Sequence, residues 1–410
     1  MRIGLITSWC EGGAGHVSKA YERILQQRHE VFIYARGSVA DTDDRIWNLP
    51  TVTRAPYHPS TTGVHAAHFT GWAKRHGIEA VIFNEQRHWE GVVLARKLGL
   101  LVGGYIDYYT ADTVPFFDLY HFVICNTRRH FEVFKCHSQP CYCPWGTDTS
   151  VYKPGPAQAQ RPLTFIISSG LSGAYAKAQP WMDRRGTGMA LEAFAKVAGD
   201  CRLVVLSQVP LDQCPDEWRR VAERDRRIEF LVGTFNPVPY ALGDVYVYPS
   251  RLDGIGLTLP EALSSGLPAI TTDCQPMNEF VRQGDNGMLV DVMEFRARPD
   301  GYYWPESICS LDRLVEAFAF YVDHPDEVTR QGRLARELAE RDLCWEKNAS
   351  FLPDWLETVA KVPFHEQEDF QCLAQKAIKY DMVHNPKPFQ SLLVAVKALL
   401  YHSWRRFRYQ

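Results

Sequence analysis

Short apolar runs recur along the chain at near-regular intervals, separated by stretches with helical spacing. Ile3–Ile6, Val31–Tyr34, Ala80–Asn84, Leu100–Ile106 and Phe122–Asn126 read as buried strands. Between them the pattern predicts helices over about Val17–Gln27 and Arg87–Leu98, with a third ending over Trp72–His76. The alternation resumes with strands at Leu163–Ser168, Leu203–Leu206, Ile228–Gly233, Asp244–Tyr248 and Ala269–Thr272. Amphipathic helices are predicted over Met189–Val197, Leu311–Tyr321 and Glu327–Glu340. Strand and helix in alternation argue for an α/β chain with doubly wound parallel sheets. The segment Pro154–Pro162 is rich in Pro, Gly, Ala and Gln and reads as a linker. The expected division is therefore 1–157, 158–345, and a crossover helix with a basic tail over 346–410. Doubly wound sheets bind ligands at the carboxyl ends of their strands, which marks Glu85 and Asp107.

The densest chemistry lies from Val247 to Val281. A strand ends at Pro249-Ser250, and the loop Asp253-Gly254-Ile255-Gly256 follows. A short helix is predicted from about Thr258 to Ser265. Pro260 suits its first turn, and Gly266 suits the left-handed position after its end. Free N–H groups at the start of such a helix favour an anion, and the glycines let a ligand approach the backbone. Asp253 and Glu261 flank the loop with seven residues between them. Bound phosphates repel carboxylates, so these two are expected to face hydroxyls, whose hydrogen bonds they accept. Phosphates, a nucleoside and a sugar together indicate a nucleotide sugar.

This stretch resembles the donor-site signature of family-4 retaining glycosyltransferases. The match runs through Pro249, Ser250, Asp253, Gly254, Gly256, Leu257, Glu261, Ala262, Gly266, Pro268 and Glu279. It departs at Asp253, where the family has Glu, and at Cys274-Gln275-Pro276, where the family has Gly-Gly. Further matches are Gly12-Gly13 before the first helix, Arg28-His29-Glu30-Val31 for "GHEV", Pro144–Pro154, and Trp345-Glu346. The resemblance implies a GT-B fold, with two Rossmann-like domains facing a cleft. The first domain would receive the acceptor and the second the donor. It implies that Arg185, with Arg184, grips the donor diphosphate alongside the N–H groups of Gly254, Ile255, Gly256 and Leu257. Asp253 would hold donor-sugar hydroxyls, Glu261 the ribose, and Asp107 a place near the donor sugar. Gly12 and Gly13 would face the cleft, and Thr234 would lie beside the nucleobase. The implied reaction moves a sugar from a nucleotide-diphosphate sugar to an acceptor hydroxyl with retention, in glycan, polysaccharide or glycolipid synthesis. No essential metal and no cofactor beyond that co-substrate are expected. A non-catalytic partner subunit and a nucleotide-sugar epimerase are the alternatives that share the architecture.

Composition narrows the partners. The chain has 410 residues, is 46% hydrophobic and carries a net charge of -3, which argues against a generic nucleic-acid binder. Its 11 cysteines are scattered, and the N-terminal apolar run is too short for a secretory signal, so a cytoplasmic location is expected. Cys136, His137, Cys141 and Cys143 cluster, but their spacing matches no zinc pattern. From Lys376 the tail carries Lys379, Lys387, Lys397, Arg405, Arg406 and Arg408 against Asp381 alone. The apolar run Leu392–Tyr401, followed by Trp404 and Phe407, suits either an interfacial helix on an anionic bilayer or a helix packed on the first domain.

Overall fold

The computed structural model describes residues 1–36, 47–56, 58, 60, 62–156, 161–179, 182–362 and 370–384. The chain divides into two compact units. One comprises 1–125, 130–142 and the chain from Ser350; the other comprises 126–129 and 143–349.

The first unit is a parallel sheet of β1 (Arg2–Thr7), β2 (Glu30–Ala35), β3 (Val52–Arg54), β4 (Ala80–Phe83), β5 (Leu101–Tyr105), β6 (Phe122–Cys125) and β7 (Pro140–Tyr142). Their order is β3-β2-β1-β4-β5-β6-β7. The central strands are near-continuous apolar runs because helices cover both faces of such a sheet. The sequence pattern misses β3 and β7. Both are three residues long and lie at the edges, where partial exposure weakens the apolar signal. The helix Phe370–His384 also belongs to this unit. Its buried Asp381 accepts hydrogen bonds from the Trp89 N–H (2.6 Å) and the Glu90 N–H (3.2 Å). The acid that stands alone in the basic tail thus satisfies two free donors at the start of the helix Trp89–Lys97. The run Leu392–Tyr401 and the arginines after it lie outside the described residues.

The second unit is a parallel sheet of β8 (Leu163–Gly170), β9 (Cys201–Ser207), β10 (Ile228–Val232), β11 (Val245–Tyr248), β12 (Ala269–Thr272) and β13 (Gly287–Val290). The order is β10-β9-β8-β11-β12-β13, so its direction reverses between β8 and β11. One face packs Phe165, Ile167, Val245 and Val247 against Leu191, Phe194 and Phe318. An antiparallel ribbon of β14 (Val292–Arg296) and β15 (Glu306–Cys309) follows, which the sequence pattern does not predict. The segment after β8 holds a helix over Ser172–Ala178.

The division differs from the expected boundaries. Residues from Cys143 belong to the second unit, not the first. The Thr147 N–H donates to the Leu343 carbonyl (2.7 Å), the Trp345 N–H donates to the Thr147 carbonyl (3.1 Å), and the Trp145 and Trp345 rings lie 4.5 Å apart. These non-local bonds hold 143–156 and 343–349 in one body, so the first unit resumes at Ser350 and not at 346. Among the described residues no helix is long and apolar enough to cross a membrane.

Candidate functional site

The site in the second unit is built on the strand order. Ligands bind outside the carboxyl ends of parallel strands where the order reverses, here the ends of β8 and β11. Strand β11 reads Val-Tyr-Val-Tyr. Its valines enter the core, and the period of two turns Tyr246 and Tyr248 to the opposite face. Tyr248 donates its hydroxyl to Asp253 Oδ2. Tyr246 donates to Thr258 Oγ1 (2.7 Å). Tyr240 donates to Glu261 Oε2 (2.9 Å) and to the Thr258 carbonyl (3.1 Å). Three buried phenols therefore hold both carboxylates and the start of the helix Thr258–Ser264. Pro260 lies in that helix's first turn, and Gly266 adopts φ +80° just past its end, as the turn chemistry predicts.

Arg185 lies between these groups and β8. Its Nη1 donates to the Ser168 carbonyl (2.6 Å) and to Ser168 Oγ (3.2 Å). Its position depends on Gly186, whose φ is +68°; a Cβ there would lie 2.1 Å from the Pro249 carbonyl oxygen. Buried Asp183 caps the next helix, Thr187–Phe194, accepting from the Thr187 N–H (3.0 Å) and the Gly188 N–H (2.9 Å). Arg184 is exposed, while its carbonyl accepts the Arg251 N–H (2.7 Å) and Ser250 Oγ (3.1 Å).

The two carboxylates sit in opposed environments. Burial raises Glu261 to about 7, against the pull of the Tyr240 hydroxyl and Arg185. Burial also works against ionisation of Asp253, but Arg184, the Tyr248 hydroxyl, Arg185 and the Gly256 N–H outweigh it. They hold that carboxyl below its ordinary range. Divergent values in neighbouring acids mark distinct chemical roles.

The structure brings Asp253, Gly254, Ile255, Gly256, Leu257, Glu261, Arg184, Arg185 and Thr234 into the second unit. Thr234 is exposed just beyond β10, where Gln208 Nε2 donates to its hydroxyl (3.4 Å). Gly12, Gly13 and Asp107 lie in the first unit. Gly12 precedes the helix Gly13–Leu25 at φ 142°, and Asp107 follows β5. Glu85, just beyond β4, has φ +51° and is the non-glycine with positive φ among the described residues. Glu279, a match in the family pattern, is committed elsewhere. Its carboxylate accepts the N–H groups of Arg128 (2.7 Å) and Arg129 (3.0 Å). Sequence reasoning missed the three tyrosines, Asp183 and Arg129. The Val-Tyr alternation of β11 carried a signal for Tyr246 and Tyr248. Among the described residues no group of three or more His, Cys, Asp and Glu is placed to hold a metal ion.

Residues 176–298 match the family model described as glycosyl transferases group 1. Over 270 residues the chain is 24% identical to a GDP-mannose-dependent alpha-(1-6)-phosphatidylinositol monomannoside mannosyltransferase of Mycobacterium tuberculosis. That match covers 58% of this chain and 61% of the relative, so the chain spans about three-fifths of that relative's length. Among solved structures, sucrose-phosphate synthase from Thermosynechococcus elongatus superposes with a TM-score of 0.66 at 16% identity, covering 88% of this chain and 99% of that one. Anabaena HepE, in complex with UDP and glucose, gives a TM-score of 0.67 at 15% identity, covering 87% of this chain and 100% of that one. At such identities the likeness concerns the fold: Rossmann-like parallel-sheet domains of the GT-B type with a helical C-terminal region.

Proposed function

We propose that this chain, a member of the group-1 glycosyl transferases, moves a sugar from a nucleotide-diphosphate sugar to an acceptor hydroxyl with retention at the anomeric carbon. One observation carries the reading. At the switch point of the second sheet, Arg185, a charge-stabilised Asp253 and a half-buried Glu261 converge on one glycine loop.

The chemistry follows from those groups. As the bond from C1 to the diphosphate breaks, the acceptor oxygen bonds to C1 and its proton passes to the leaving diphosphate, on which negative charge gathers. Arg185, Arg184 and the N–H groups of Gly254, Ile255 and Leu257 stabilise that charge, while the Gly256 N–H serves Asp253. Removing one such donor typically costs about 100-fold or more in rate. The Arg guanidinium suits two phosphate oxygens at once. Ionised Asp253 accepts hydrogen bonds from donor-sugar hydroxyls, and Glu261 accepts from the ribose. The protein supplies the neutralisation itself, so no metal is assigned. The GDP-mannose-dependent relative and the UDP-bound neighbour support a nucleotide donor without choosing the base. The basic tail and the lipid substrate in that relative's name support a lipid-linked acceptor and attachment to an anionic bilayer face.

The test is to offer the full chain GDP-mannose, UDP-glucose and UDP-N-acetylglucosamine. Release of nucleoside diphosphate from one donor is expected, with an NMR-read product that keeps the donor's anomeric configuration. An inverted product would refute retention. If no donor is cleaved and neither UDP nor GDP binds, the reading fails as a whole.

A further inference from the structure

Arg129 is 3% exposed and lies in the short segment Asn126–Arg129 of the second unit. Its guanidinium joins two loops. Nη2 donates to the main-chain carbonyl of Asp253, beyond β11. Nη1 donates to the carbonyl of Gln275, beyond β12 (2.7 Å). The guanidinium carbon also sits 5.3 Å from the ring centroid of Trp304, within cation–π range. Trp304 belongs to the connection between β14 and β15. The Arg129 backbone is itself held, because its N–H and that of Arg128 donate to Glu279. Nε is buried and has no partner among the described residues.

These contacts leave Asp253 fixed at both ends. Tyr248 holds the carboxylate, and Arg129 holds the carbonyl of the same residue. A side chain on a glycine-flanked loop has many accessible orientations, and two anchors on one residue remove most of them. A planar fork is needed to reach both carbonyls together, and lysine, a single point charge, lacks it. The group of interest is thus not the cation but the geometry it imposes.

We propose that Arg129 is a positioning residue for donor-sugar recognition: it clamps the β11 and β12 loops so that the Asp253 carboxylate meets the sugar. The inference rests on the donor-site reading above. It gives the ribbon a purpose, since Trp304 braces the clamp. Ser307 of β15 adds to this by donating its N–H (2.8 Å) and hydroxyl (3.0 Å) to the Arg251 carbonyl, two residues before Asp253.

The experiment compares two affinities by calorimetry on the full chain: UDP or GDP alone, and the matching UDP-glucose or GDP-mannose. Arg129→Met keeps a side chain against Trp304 and removes the fork; Arg129→Lys keeps the charge. For both, affinity for the nucleotide sugar is expected to fall at least tenfold. Affinity for the free nucleoside diphosphate should stay within threefold, because Arg185 and the loop N–H groups hold the phosphates. In an Asp253→Asn background, Arg129→Lys should add less than a twofold further loss. Equal losses for nucleotide and nucleotide sugar, or full additivity with Asp253→Asn, would overturn the proposal while leaving the donor site standing. Wild-type protein that binds neither nucleotide would remove the donor-site reading and this inference with it. If Arg129→Met fails to fold, Arg129→Lys decides by the same criteria.

Discussion

Replacing Glu261 with Gln should stabilise the unliganded protein at alkaline pH while weakening donor binding. The folded environment raises the Glu261 carboxyl from 4.5 to about 7, chiefly through burial. A raised value means that the neutral form is the one the fold tolerates. The stability this group contributes is therefore full below pH 4.5. It is lost progressively as pH rises through about 7, because the unfolded chain releases the proton first. The full rise corresponds to about 3 kcal/mol, and partial exposure of the side chain trims this to about 2–3 kcal/mol. Gln carries no such penalty, and its amide oxygen can still accept the Tyr240 hydroxyl now 2.9 Å away. Urea unfolding should thus show no ionisation-linked gain for Glu261→Gln below pH 4.5. Above pH 8 the gain should reach about 2–3 kcal/mol, or roughly 30- to 150-fold in the folding equilibrium. Donor affinity should move the opposite way. A hydrogen bond to a charged acceptor contributes about 1.5–3 kcal/mol, so nucleotide-sugar binding should weaken roughly ten- to a hundredfold. Parallel stability curves for the two proteins from pH 4 to 9 would refute the electrostatic argument. Unchanged donor affinity in the well-folded variant would remove Glu261 from the site.

Arg185→Ala should raise the donor Michaelis constant more than Arg184→Ala, because Arg185 is held against β8 while Arg184 is exposed; equal effects in steady-state kinetics would contradict this assignment. Tyr248→Phe removes a hydroxyl that keeps Asp253 ionised, so the Asp253 carboxyl should rise and the acid limb of the activity–pH profile should move to higher pH; an unmoved limb separates Asp253 from turnover. Glu279→Ala frees the N–H groups of Arg128 and Arg129 and should cost about 1 kcal/mol or more in chemical unfolding, the typical worth of a lost hydrogen bond; unchanged stability would deny Glu279 that role.

Features that depend on neighbours along the chain are readable from the amino-acid order. The strand β11, the loop from Asp253 to Gly256, the first-turn Pro260 and the left-handed Gly266 are all local chemistry, and all were legible. So was the alternation of strand and helix in both units, because buried parallel strands leave continuous apolar runs. Edge strands β3 and β7 and the exposed strand β14 escaped the same reading, since little buried surface imprints a period on them; β15 is buried, but it is four residues long and begins with the polar Glu306 and Ser307. Tertiary structure alone decided the rest. Asp253 and Glu261 look alike as acids, yet their titration differs because Tyr248 and the arginines meet one while burial dominates the other. Glu279 sits in register with a functional pattern, but residues 151 and 150 positions earlier in the chain claim its carboxylate. Arg129 reaches Asp253 across 124 positions of sequence. Local turn preferences are written in adjacent residues, whereas the field at a carboxylate is set by whatever the folded chain brings to within a few ångströms.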